Sequence, residues 1–171
     1  ASAIGTVKAA SVNYALTATV TASGSEDANH GPEKAVDGDT TTSTSRWASA
    51  KRTSSESNPH WLKLDFGGKK TVNSIVITWE RRNATNYAIQ TSENGSDWTT
   101  LKSYNTVPSY REQVINLDAP VETRYMRVLI NTFNPTAADI SGKEVTWETV
   151  SVYEIEVYDE KQQSNNEVWD A

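Results

Sequence analysis

Short runs that alternate apolar and polar residues recur along this chain, while no stretch of a dozen residues carries the 3.6-residue apolar period of a helix. Little besides β-structure satisfies both conditions. Residues 61–66, Trp-Leu-Lys-Leu-Asp-Phe, place Leu62, Leu64 and Phe66 on one face, and Gly67-Gly68 is expected to end the run as a turn. Residues 72–79 repeat the pattern with Ile75, Ile77 and Trp79 on one side. Further runs lie at 87–91, 98–104, 111–117, 124–130 and 152–158, with an earlier one near 15–21. Asn94-Gly95 sits between two such runs, and both residues tolerate positive φ, so a hairpin is expected over 92–97. The one helical signal is short: Pro32 at a first turn, then Glu33-Lys34-Ala35-Val36, with Gly38 to end it.

About eight strands separated by turn signals, without βαβ spacing, give an all-β fold: an antiparallel β-sandwich or jelly roll. The 21 Thr, 18 Ser and six Trp against one Met agree with strands and polar loops. A length of 171 residues buries enough core for one domain without staples, expected over 1–160, with a polar, patternless linker or tail at 161–171. The loops at 43–59 and 132–148 are longer than connection requires, and function is sought there.

The net charge of −6 opposes nucleic acid and anionic lipid as partners. No apolar window approaches the roughly 20 residues of a membrane span, and the first residues lack the order of a signal peptide. The absence of cysteine excludes thiol nucleophiles, disulfides and thiolate metal sites. No Gly-x-Ser-x-Gly, His-Glu-x-x-His or phosphate loop is present, and two histidines are a poor basis for triad chemistry. A glycosidase-type carboxylate pair is not excluded by spacing, since 22 acids offer many pairs.

Three segments in fixed order, Gly31-Pro32-Glu33-Lys34-Ala35-Val36-Asp37-Gly38-Asp39-Thr40, Arg46-Trp47-Ala48-Ser49 and Trp61-Leu62-Lys63-Leu64-Asp65-Phe66-Gly67, resemble the discoidin or coagulation-factor C-type domain. More closely they resemble the bacterial family 32 carbohydrate-binding module. Tyr87-Ala88-Ile89-Gln90, Arg124-Tyr125-Met126-Arg127-Val128 and Val152-Tyr153-Glu154-Ile155 continue the match, which covers roughly 11–158. The resemblance implies an eight-stranded jelly roll that binds sugars at the loops of one end and is not itself an enzyme. Such a module acts as a monomer appended to a secreted or cell-surface glycoside hydrolase, with the other modules of that enzyme and the terminal sugars of glycans or mucins as its partners. Two other readings stand beside it: a discoidin-like domain for protein or lipid, and a small β-sandwich glycosidase or lyase.

Asp37-Gly38-Asp39-Thr40-Thr41-Thr42 packs carboxylates, hydroxyls and a glycine turn together, oxygen-rich chemistry that suits Ca²⁺ or simply makes an ordinary Asp-Gly turn. The resemblance implies a structural Ca²⁺ site made by Lys34 and Tyr153 through their carbonyls and by Asp37, Asp39, Thr42 and Glu154. Sugar recognition needs an aromatic face and convergent polar groups. Trp147, late in the long second loop, matches the family's stacking aromatic; the other reading is an indole buried at the sandwich edge. Arg81 with Asn86 matches the hydroxyl-binding pair, and Arg82 rivals Arg81 because neighbours on a strand point oppositely. Arg52 and Glu56 are expected in a further wall, and Phe133 against a second sugar or an acetamido methyl. Trp47, Trp61, Trp79 and Trp98 are expected in the core, and His30 and His60 in structural roles. The wall loop lacks the histidine usual in galactose binders, which moves the expected sugar from galactose toward N-acetylglucosamine.

Overall fold

The computed structural model of the chain describes residues 11–138 and 143–164. Its strands are β1 (Thr19–Ala22), β2 (Trp47–Ala48), β3 (His60–Trp79), β4 (Ala84–Ser92), β5 (Thr99–Tyr104), β6 (Glu112–Phe133), β7 (Thr136–Ala138), β8 (Glu144–Thr146) and β9 (Ser151–Tyr158). The helical turn expected at Pro32 is a single 3-10 turn, Pro32–Ala35. A second one, Tyr14–Thr17, takes the start of the run expected at 15–21. There Asn13 Oδ1 accepts the Ala15 N–H and winds the chain before β1 begins.

Seven strands form one antiparallel sheet in the order β2-β9-β3-β6-β4-β5, with β1 also on β3, and β7 and β8 pair separately inside the long second loop. The sheet becomes a sandwich because β3 and β6 serve both layers. The first half of β3 pairs with β1 and with 125–130 of β6, and its second half pairs with β9 and with 112–116 of β6. Leu62, Leu64 and Phe66 therefore meet Ile75, Ile77 and Trp79 across one buried core.

Gly67-Gly68 does not end a strand, contrary to the sequence expectation. Gly67 sits at φ +78° inside β3, its N–H bound to Asp65 Oδ1 at 2.8 Å, and the register with β6 slips between Asp65 and Lys70. A β-bulge of this kind turns the strand from one layer into the next while pairing continues on both sides. The runs at 111–117 and 124–130 are likewise the two arms of β6. The hairpin at 92–97 is present, with Gly95 at φ +79° between β4 and β5.

Trp47 and Trp79 are fully buried, as expected. Trp61 and Trp98 are only half-buried, with the Lys63 ammonium 5.6 Å from one ring and the Arg127 guanidinium 4.2 Å from the other. Alternation accounts for Trp61: with Leu62 and Leu64 inside, it faces out.

His60 is fully buried, its Nε2 3.0 Å from the Arg52 carbonyl, and burial holds its pKa below the usual 6.5. At pH values below the ordinary histidine pKa, the unfolded chain takes up a proton that folded His60 refuses, so stability falls as the pH drops from about 6.5. Urea melts between pH 7.5 and 5 should lose stability less steeply in His60→Gln than in wild type; equal slopes would assign the effect elsewhere.

Candidate functional site

The β3–β4 turn and the long second connection meet at one end of the sandwich. The Asn134 N–H donates to the Asn83 carbonyl at 2.7 Å, and buried Asn83 donates through Nδ2 to the Thr149 carbonyl at 3.1 Å. The Trp147 N–H donates to the Pro135 carbonyl at 2.6 Å, and the Glu80 N–H to the Ser151 carbonyl at 3.2 Å. These bonds tie the β3–β4 turn to the segment leading into β9. On that base Trp147 is half-buried, with the Arg81 guanidinium 4.0 Å from its ring centre.

Arg81 is held from behind. Its Nε lies 2.9 Å from Glu80 Oε1, and the other Glu80 oxygen pairs with Arg46, so one nearly buried carboxylate anchors two guanidinium groups. A fork fixed in this way is preorganised for planar hydrogen bonding, and it rests on an aromatic surface suited to the CH face of a pyranose. Arg82, the rival of Arg81, is exposed. Glu80 and Asn83 escape sequence reading, since nothing in their spacing distinguishes them from ordinary turn residues.

The other expected site residues are distributed differently. Asn86 lies on the outer face of β4, where Oδ1 accepts from Asn131 Nδ2 at 3.1 Å, and it shares a cavity with the exposed Glu56. None of its contacts joins it to Arg81. Arg52 spends its guanidinium on the carbonyls of Thr53, Asn58 and Pro59, at 3.1, 2.9 and 3.1 Å, and so shapes its own loop. Phe133 is buried, its ring centre 5.8 Å from that of His60, and packs in the core rather than at the rim.

Around the Asp-Gly turn, Glu154 is fully buried and accepts the Gly38 N–H on Oε2 at 2.7 Å, while Oε1 receives no hydrogen bond from a donor among the described residues. Burial pushes this carboxyl up to about 9 against the help of the Gly38 bond, and the neighbouring Asp37 charge adds to the push. Asp37 receives the Asp39 N–H and the Ser45 hydroxyl. Asp39 accepts the Thr41 and Thr42 N–H groups, which together with the Thr42 and Thr41 side chains hold it down at about 2. Two adjacent carboxylates, one buried with an unpartnered oxygen, form a hard oxygen-donor set that a divalent cation would satisfy. Of the other expected ligands, Lys34 and Thr42 lie on the same early segment as Asp37, and Tyr153 directly precedes Glu154.

The family model for the F5/8 type C domain matches residues 19–144. Among solved structures, chitosan-binding module 1 of a chitosanase/glucanase from Paenibacillus sp. IK-5 is 30% identical, with a TM-score of 0.66 over 86% of this chain and 98% of that one. Chitosan-binding module 2 of the same enzyme, solved with chitotriose, is 29% identical with a TM-score of 0.67, covering 85% and 99%. The family 32 module from C. perfringens in complex with galactose shares the fold at 19% identity, with a TM-score of 0.63 over 86% and 97%. No curated protein sequence matches the chain significantly. These three neighbours are named as binding modules, and a carbohydrate-binding role fits both them and the rim.

Proposed function

The chain belongs to the F5/8 type C domain family, and on that premise we propose that it is a non-catalytic module that holds a glucosamine-type sugar, N-acetylated or free, against Trp147. The observation that carries this reading is the Arg81 guanidinium seated 4.0 Å over the Trp147 ring at the rim and anchored through Glu80. Arg81 donates to sugar hydroxyls, and the indole receives the apolar face of the ring. The choice of sugar is supported by the two relatives near 30% identity, both named for chitosan, and by the net charge of −6, which favours an amine-bearing polymer over an anionic one. Galactose is the weaker candidate, since neither histidine stands at the rim: His60 is in the core, and His30 pairs with Asp27 at 2.7 Å.

In this reading the module anchors a secreted or cell-surface glycoside hydrolase to its polymer, and Asp37, Asp39, Thr42 and Glu154 with the carbonyls of Lys34 and Tyr153 would hold a Ca²⁺ ion between the early loop and β9. The ion supplies charge neutralisation and rigidity, and no chemistry on the ligand. Calorimetry with chitotriose, N-acetylglucosamine, galactose and fucose tests the function. Chitotriose is expected to bind best, with a Kd from about 1 mM to about 0.1 mM, or roughly −4 to −5.5 kcal/mol. Absence of binding to every sugar in the panel would refute the proposal.

A further inference from the structure

The outer face of the β4–β5–β6 layer carries a cavity of about 420 Å³, within the roughly 300–1,000 Å³ of small-ligand sites. Ala88 and the half-buried Leu129 present an apolar strip, bordered by Asn86, Asn131, Thr100 and Ser103. The walls are held in place: Arg127 Nε donates to Gln90 Oε1 at 2.8 Å, and Gln90 Nε2 donates to Thr100 Oγ1 at 3.0 Å. Asn131 Nδ2 donates to Asn86 Oδ1 at 3.1 Å. That bond leaves one amide donor, Asn86 Nδ2, beside one acceptor, Asn131 Oδ1. An adjacent donor and acceptor complement a vicinal diol, each hydroxyl of which can both give and receive a hydrogen bond. Among the described residues lining the cavity, Glu56 alone carries charge, which disfavours anionic sugars and suits a neutral or amine-bearing one.

We infer that this groove is a second saccharide subsite, occupied by a distal sugar of the same chain whose proximal sugar sits on Trp147. The inference rests on the carbohydrate reading of the rim. Asn131 stands four residues before Pro135, whose carbonyl receives the Trp147 N–H, so at most about 13 Å of chain separates the two places. An oligosaccharide seated on Trp147 is long enough to reach the groove, and the second contact then gains from high effective concentration.

The test compares glucosamine with chitohexaose by NMR titration and calorimetry on wild type, Asn131→Ala and Leu129→Arg, the last of which fills the groove. The expected result is unchanged glucosamine affinity in both variants and chitohexaose affinity reduced about five- to tenfold. Should Leu129→Arg fail to fold, Asn131→Ala and the saccharide-induced shifts of the Asn86 and Asn131 side-chain amides in wild type decide the matter. Equal chitohexaose affinity in wild type and Asn131→Ala, with no shift at those amides, overturns the groove and leaves the rim intact. Failure of wild type to bind either sugar overturns the rim reading, and the groove with it.

Discussion

Replacing Trp147 with alanine is expected to abolish measurable saccharide binding while moving the melting temperature by no more than about 2 °C. The indole is half-buried at the rim and lies outside the core cluster, so its removal opens no cavity in the core. A central aromatic anchor typically carries about 2 kcal/mol or more of a binding energy. Against a total of roughly 4 to 5.5 kcal/mol, that loss takes the affinity out of the measurable range. Calorimetry with chitotriose and a thermal melt of the same sample check both halves. Retained affinity would place the sugar elsewhere, and a large fall in melting temperature would make Trp147 a packing residue. Glu80→Gln should act in the same direction more weakly, because it loosens Arg81 without removing the stacking surface.

On the proposed Ca²⁺ site, removal of the ion is expected to give the second large effect. A cation bound only by the folded state stabilises by about 2.7 kcal/mol at one hundred times its Kd. At about 2–4 °C per kcal/mol for a domain of this size, a chelator should lower the melting temperature by about 5–10 °C. Readdition of Ca²⁺ should restore it. Glu154→Gln keeps the shape and the Gly38 contact of the buried side chain but cannot give up a proton to become a carboxylate ligand, so this variant should melt at the same temperature with and without chelator. An unchanged wild-type melting temperature in chelator would leave the unpartnered Glu154 oxygen without a metal to explain it.

The two effects separate cleanly because the two sites rest on different contacts. The rim is organised by Glu80, Asn83 and the carbonyl of Pro135, and the cation turn by Gly38, Ser45 and β9. A chelator that abolished sugar binding without melting the protein would couple them through β9, which reaches the Glu80 N–H at Ser151 and the cation turn at Glu154.

Much of this arrangement was legible in the chain alone, and the reason is local. Alternation shows which residues of 61–66 and 72–79 enter the core, Asn94-Gly95 marks its own hairpin, and Asp37-Gly38-Asp39 displays its oxygens over a few residues. Trp147 and Arg81 are reached through the family resemblance rather than through a local pattern, and the structure brings them into contact. By contrast, the resemblance pairs Asn86 with Arg81, whereas in the structure Asn86 bonds Asn131 across the sheet, a partner 45 residues away. Arg52 had the right chemistry for a ligand, but carbonyls of its own loop use it.

Sequence by itself therefore determined the all-β class, the inward faces and the residue types available at each end, because those follow from side-chain periodicity and turn stereochemistry within a few neighbours. Tertiary structure decided that Gly67 would bend a strand rather than end it, that Glu80 would anchor Arg81 and Arg46 together, and that Glu154 would meet the Asp37 turn. Each of those outcomes depends on the register between strands far apart in the chain. Register is set by the joint fit of every pair across the sheet, and no short window of sequence contains it.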